Sequence, residues 1–468
     1  MLTHFLMYVP RTYAARRLLW GALPLLCLLV LLSACGSGSG GTTTGTPNAT
    51  PPSTNSGGGS SGGTPSGQGN NPPAQTVTMP PTQTACPADG TARAAVMQPL
   101  ALGPHQNLVY VYNEVPANTS TAYGHLKRYD ASNGQKTTIA TSGIAIQQAQ
   151  VSADGQWVLF ISTPDPRGDA RHSGLLQLVR MDGQGLQTLY CFPKVTTNIP
   201  PTAQWSGDQS SILLTTDTAN TTSTITLLTV VSGALRNEVT LTDNNQLYRE
   251  SVVTWLDNSR AYVIKSGRQG PLPPITLYLL NTNSGAMSQV LTHSVRMSAF
   301  SLDSSYDGTK LFVGYCLQAA NPFDSTLTSS PATGGAQQTL LHPGATTCLQ
   351  NVRAINGTTL LVLVLNTNAG MTSFNYQVST LHLDGSGQQT LTTINRPAGQ
   401  GLTLDFNESS QFPWSSVSRD GSLYALQSNN PDTKTQQILI GSFGGGNPGA
   451  IASTNGLSGV SLAGWTTL

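Results

Sequence analysis

The sequence predicts an all-β fold, and three observations carry that reading. First, a short phrase recurs six times: a polar turn of the Asp-Gly kind that runs into an apolar strand. Second, the recurrences fall about 50 residues apart, except for a longer last interval, and fixed periods in that range signal solenoids, propellers or arrays. Third, the strand after the turn is continuously apolar, as in Trp157–Ile161, Ala261–Ile264 and Leu360–Leu365. A strand apolar on both sides must be covered on both faces. Four antiparallel strands with a buried middle and a polar outer edge make a propeller blade. The expected fold class is therefore an all-β β-propeller of seven four-stranded blades, with six or eight as alternatives.

Arg11, Arg16 and Arg17 form a positive n-region ahead of the apolar run Leu18–Leu32. At about 15 residues the run is short for a spanning helix, and no stop-transfer charges follow it. It ends in "LSAC", residues 32–35. This resembles the lipobox of bacterial lipoproteins, which implies a signal peptide over residues 1–34 and acylation of Cys35. The flanks of Arg16 and Arg17 do not support a twin-arginine signal.

Residues 35–85 read as a disordered tether. From 36 to 88 there is no Asp, Glu, Lys or Arg, and almost nothing apolar before Val77. Such a stretch cannot offset its ordering entropy by burial. As a flexible coil it has an r.m.s. reach on the order of 40 Å. "GGSSG" at 58–62 matches the G-x-S-x-G hydrolase pattern in letters only, because that pattern needs a strand before it and a helix after it.

Residues 86–468 are expected to form the propeller. "VSADGQWVLFIS" at 151 is followed by "QWSGDQSSILLTT" at 204, "TWLDNSRAYVIKS" at 254 and "SSYDGTKLFVGYC" at 304. "RAINGTTLLVLVL" at 353 and "SVSRDGSLYALQS" at 416 complete the series. Gly and Asn in the turns tolerate the positive φ of tight hairpins. A third strand often alternates, as in "ITLYLLNT", and a second turn such as "LDGSG" leads to a polar fourth strand. These phrases resemble the repeat of TolB-type, WD40-like (PD40) propellers, roughly S-P-D-G, an apolar strand, then D-G-x-x-x-x-L-T. The resemblance covers residues 90–468. Ala153 stands where the repeat has Pro, "SGDQ" at 206–209 inverts the turn, and Asn356-Gly357 replaces Asp-Gly. The separate N-terminal domain of TolB has no counterpart, so a role in its complex is not implied.

A weaker unit, "QNLVYVYNE" and "YGHLKRYDASNGQKTTI", precedes the first clear phrase and brings the number of blades to seven. In the terminal "GVSLAGWTTL", Trp465 matches Trp205 and Trp255 in the first strand of a unit. This strand is expected to complete the first blade, with "ARAAVMQPL" at 92–100 as the competing source.

Cys86, Cys191, Cys316 and Cys348 remain after the signal and Cys35, an even number that fits disulfides in an exported domain. With strands labelled A to D outward from the axis, the B–C loops and the D–A connections share one rim. Cys316 ends strand B of blade 5, and Cys348 lies between that blade's strand D and the next strand A. Cys316–Cys348 is therefore favoured, and Cys86–Cys191 follows by elimination. No C-x-x-C or paired-His spacing suggests a metal, and no cofactor fingerprint appears.

The chain carries a formal charge of +1, but the residues after 34 have 19 basic and 21 acidic side chains. Without a basic stripe, nucleic acid is not an expected partner. His105, His125, His172, His293, His342 and His382 are scattered. An enzyme of the lyase or glycosidase type would need acid, base or metal groups converging at the channel mouth, and the sequence offers no such constellation. The expectation is a monomeric binding module, attached to the membrane through Cys35 on the outer face of the cell or on the outer membrane. The A–B turns are mostly short, whereas the B–C loops at 113–125, 163–174, 266–274, 317–326 and 366–375 are long and dissimilar. Candidate contacts for a protein, peptide or glycan on that rim are Tyr123, Asp165, Arg167, Asp169, Arg171, His172, Arg268, Phe323, Asp324 and Phe374.

Overall fold

A computed structural model describes residues 84–88, 100, 103–115, 123–164, 169–194, 199–219, 222–242, 248–267, 275–293, 297–317, 323–368, 372–396, 401–406, 412–456 and 458–467. The chain divides into two units, Arg17–Thr78 and the remainder, and every described residue belongs to the second. Cys35, the signal and the tether up to residue 83 lie outside the described residues.

Alternation along the apolar strands explains why the sheets close into a ring. In strand B of blade 6, Thr359–Thr367, the side chains of Leu361, Leu363 and Leu365 pack towards blade 7. Leu360, Val362 and Val364 of the same strand pack towards blade 5. Strand B of blade 2 does the same, with Trp157, Leu159 and Ile161 facing blade 3 and Val158 and Phe160 facing blade 1. Each such side chain removes enough apolar surface from water to contribute about 1.5–3 kcal/mol. One apolar cluster fills each of the seven junctions between neighbouring blades.

The result is seven four-stranded antiparallel sheets, a seven-bladed propeller. Blade 1 is built from both ends of the domain. Its strand A is the C-terminal Gly459–Thr467, hydrogen-bonded to strand B, Gln106–Glu114, with Leu108 opposite Trp465. The C-terminal strand thus closes the ring as the sequence indicated. Of the competing source, residues 92–100, all but Leu100 lie outside the described residues.

The A–B turns fall into two kinds. In blades 2, 3, 5 and 7 a Ser-x-Asp turn repeats the same bonds. The Ser152, Ser206, Ser305 and Ser418 hydroxyls donate to Asp154, Asp208, Asp307 and Asp420 at 2.5–2.7 Å. The same hydroxyls accept the N–H of Trp157, Ser211, Lys310 and Leu423 at 2.8–3.0 Å. In blades 4 and 6 the turn is one residue shorter and is held by Asp257 and Asn356 instead. The "SGDQ" turn is not inverted. Ser206 and Asp208 keep the register of the other blades, and Gln209 fills the glycine slot with φ 62°.

Blade 7 accounts for the longer last interval. Its strand A pairs only over Thr403–Asp405, and the chain returns to strand B through a single bridge, Val417 to Tyr424. Between them a 3-10 turn, Pro413–Ser415, crosses the ring at the A–B rim. Phe412 and Trp414 stack with ring centres 4.3 Å apart. The Phe412 carbonyl accepts a bond from Arg353 of blade 6 at 3.0 Å. Its ring also lies beside Gly207 of blade 3, where a Cβ would come within 3.4 Å of it. Trp414 donates to the Val151 carbonyl of blade 2 at 3.4 Å. These contacts with blades 2, 3 and 6 put the insertion at the axis, on the A–B side.

Candidate functional site

The same topology gathers the B–C loops and the D–A connections on the opposite rim. The ends of the strands there can be placed residue by residue. Tyr123 opens strand C of blade 1 opposite Glu114 and is 46 % exposed. Beside it, His125 bonds Thr141 at 2.9 Å and lies 3.7 Å from Glu114. Burial and then the Lys127 charge lower the pKa of His125, and Glu114 only partly opposes them.

In blade 2, Asp165 and Arg167 lie outside the described residues. Asp169 binds His172 Nδ1 at 2.6 Å and the Arg171 N–H at 3.1 Å. The His172 hydrogen bond is the main reason that the Asp169 carboxyl is held below the ordinary carboxylate range. Arg171 is exposed. In blade 4, Arg268 also lies outside the described residues.

Phe323 requires a correction. It is 9 % exposed and packs with Cys316, Cys348 and Leu365 in the cluster between blades 6 and 7. Its N–H donates to the Ala345 carbonyl at 2.9 Å, which turns the ring inward. It is a core residue, not a surface anchor. Its neighbour Asp324 is exposed. Phe374 is half-buried beneath Arg396, whose guanidinium lies 4.9 Å from the ring centre. The loop reading missed Arg396 because it searched only the B–C connections. Arg396 ends strand D and pairs directly with Phe374, so blade register could have found it.

Two disulfides hold this side of the ring. Cys316–Cys348 joins strand B of blade 5 to strand A of blade 6, with Cα atoms 5.3 Å apart. Cys348 is the second residue of that strand, Thr347–Ala354, rather than part of the loop before it. Cys86–Cys191 pins the segment before blade 1 to strand D of blade 2, with Cα atoms 5.8 Å apart. Two such bridges fit an oxidising, extracytoplasmic compartment.

Among the described residues no helix is long and apolar enough to cross a membrane. On the inner strands the most buried charges are Asp303 and Arg353. The Arg353 Nε lies 3.7 Å from Asp303 Oδ2, which also accepts the Ala354 N–H at 2.8 Å. Arg353 reaches Ser415 of the blade 7 insertion as well. This pair lies towards the A–B side, away from the loops. It holds blades 5, 6 and 7 together.

No protein-family model matches the chain, and no curated protein matches it. Its fold is similar to that of several solved structures. TolB from Acinetobacter baumannii is 12 % identical, with 72 % of this chain and 78 % of that one covered, at a TM-score of 0.40. The β-propeller domain of the Trilobed protease from Pyrococcus furiosus is 9 % identical, with 74 % and 92 % covered, at 0.48. Oligogalacturonate lyase from Vibrio parahaemolyticus is 12 % identical, with 72 % and 86 % covered, at 0.44. Likenesses at this level concern the fold, and they assign neither a ligand nor a reaction.

Proposed function

We propose that this chain is an exported lipoprotein, anchored through lipid on Cys35, whose B–C rim binds a protein, peptide or glycan. The asymmetry of the two rims supports the reading most. The A–B side is taken up by hydrogen-bonded turns and by the Phe412–Trp414 crossing. Apart from that blade 7 insertion, the long, dissimilar connections belong to the other side, together with exposed Tyr123, Asp324 and Arg171. Rigid strands carrying variable loops on one side are the usual layout of a binding surface, and aromatic and Arg side chains are its usual anchors. Acylation of Cys35 would supply the two or more membrane signals that stable anchoring needs.

Two experiments test the proposal. Affinity capture from native envelope extracts with residues 86–468 is compared with a variant in which short turns replace 165–168 and 318–322. These limits spare Asp169, His172 and the core side chain Phe323. Capture should be lost with the melting temperature unchanged, and unchanged capture would place the working surface elsewhere. Cys35→Ala should release the protein from the membrane fraction, and a variant that stays membrane-bound would sink the anchor.

A further inference from the structure

Cys86, His172 and Cys191 are far apart in sequence, yet their ligand atoms lie within 4.8 Å of one another at the edge of blade 2. Three local features bring them together. Cys191 sits in strand D, Gln187–Pro193. The segment carrying Cys86 is held alongside by the Thr188 hydroxyl, which donates to the Thr84 carbonyl at 2.9 Å. His172 opens strand C opposite Pro193, so its ring reaches the bridge. Its Nδ1 is 3.7 Å from Cys86 Sγ and 2.6 Å from Asp169 Oδ2.

The two bridges differ in their surroundings. Cys316 and Cys348 are 0 % and 4 % exposed and lie among apolar side chains. Cys86 is exposed, Cys191 is half-buried, and an imidazole and a carboxylate stand beside them. A solvent-borne thiol can reach only the second kind.

We propose that reduction of Cys86–Cys191 converts this cluster into a zinc(II) site, with Cys86, Cys191 and His172 as ligands and Asp169 as the fourth. The reductant is a dithiol. One of its thiolates attacks a bridge sulfur and the other bridge sulfur leaves. Its second thiol then resolves the mixed disulfide. Two electrons pass to the bridge, the dithiol becomes a cyclic disulfide, and its two protons end on Cys86 and Cys191. Zinc displaces those two protons. Before metal binding the His172 Nδ1 proton bonds Asp169. On metal binding Nδ1 gives up that proton and the ring carries its proton on Nε2 instead, which frees the Nδ1 lone pair and the carboxylate for the metal.

Two thiolates, an imidazole and a carboxylate form a tetrahedral set suited to zinc and poorly suited to calcium or magnesium. Zn–S bonds of about 2.3 Å require the sulfurs to separate to roughly 3.8 Å. Side-chain rotation over the 5.8 Å Cα separation allows that. The site does not depend on any partner of the rim.

The test uses the full chain, a dithiol under anaerobic conditions, and zinc alone. Alkylation mass spectrometry should show Cys86 and Cys191 opening while Cys316 and Cys348 stay bridged. The opened protein should then bind one zinc per chain. His172→Ala should open equally well but bind zinc at least about tenfold more weakly, and Asp169→Asn should also bind it more weakly. Cobalt(II) in place of zinc should give thiolate charge-transfer absorption. The proposal is overturned if the opened chain takes up no zinc, or takes it up as well with His172→Ala. Loss of near-UV circular dichroism on opening would also overturn it, because the ligands would no longer be held together.

Discussion

Asp303 and Gln209 are single residues whose environments make measurable demands. Burial pushes the Asp303 carboxyl up to about 6 from 3.8, and Arg353 with the Ala354 and Ser304 N–H groups only partly opposes this. Between those two values the folded state holds more protons than the unfolded chain. Stability from this group is therefore present at low pH and is lost as pH rises from about 4 to about 6. Turn carboxylates act in the opposite sense. The Ser305 hydroxyl, with the Thr309 N–H and hydroxyl, holds Asp307 below its ordinary value, so its contribution is lost on acidification below that value. Other lowered carboxylates raise stability over the same range, so the Asp303 share is read as a difference: the urea midpoint of Asp303→Asn relative to the wild type should rise from pH 4 to pH 6. A difference that stays constant with pH would contradict the assignment. Gln209 occupies left-handed backbone at φ 62° where equivalent positions have glycine. Gln209→Gly should raise stability by about 0.5–1 kcal/mol, since relief of αL strain outweighs the added unfolded-state entropy. A fall in the thermal midpoint would contradict this.

At the scale of the element, the Ser-x-Asp turn is the unit that repeats. One hydroxyl bonds an aspartate and the first N–H of strand B, so it fixes both the turn and the point where the strand begins. Ser305→Ala removes both bonds and leaves the Lys310 N–H without that acceptor. The expected cost is about 1–2 kcal/mol, with no change in the dependence on denaturant that reports exposed surface. An effect below a few tenths of a kcal/mol would mean that the turn is held by its backbone alone. Ser259 and Asn356 belong to the shorter turns of blades 4 and 6, which do not use this hydroxyl. A matching Ser259→Ala change should therefore cost less.

For the whole molecule, closure of the ring is concentrated around one side chain. Arg419 of blade 7 donates to the carbonyls of Trp465 in blade 1 and of Ala153 and Ser152 in blade 2, at 2.7–2.9 Å. Its guanidinium lies 4.2 Å from the centre of the Trp414 ring. Burial lowers its pKa to about 10, with Asp154 opposing, so it stays charged at neutral pH. Arg419→Ala would leave three carbonyls without this donor, one in blade 1 and two in blade 2. A loss of roughly 3 kcal/mol or more is expected in urea unfolding, together with faster hydrogen exchange in Gly459–Thr467. Exchange that stays at the wild-type rate would show that strand pairing alone closes the ring.

The repeated phrase and the doubly apolar strands determined the all-β fold, the seven blades and the closing strand through Trp465. These are local patterns, and burying both faces of such a strand leaves few alternatives. The Cys316–Cys348 bridge was legible for the same reason, because strand order alone brings both ends to one rim. What tertiary structure decided was the direction and company of individual side chains. Phe323 sits in a polar-looking loop, yet it turns inward because the gap between blades 6 and 7 is apolar and its N–H has a partner in Ala345. Arg353, Phe412 and Trp414 meet at the axis from positions about 60 residues apart, and no sequence period relates them. The Cys86, His172 and Cys191 cluster likewise joins three separate stretches of chain. Metal-ligand spacing is a one-dimensional signal, and it is silent when the ligands are brought together only by the packing of a blade.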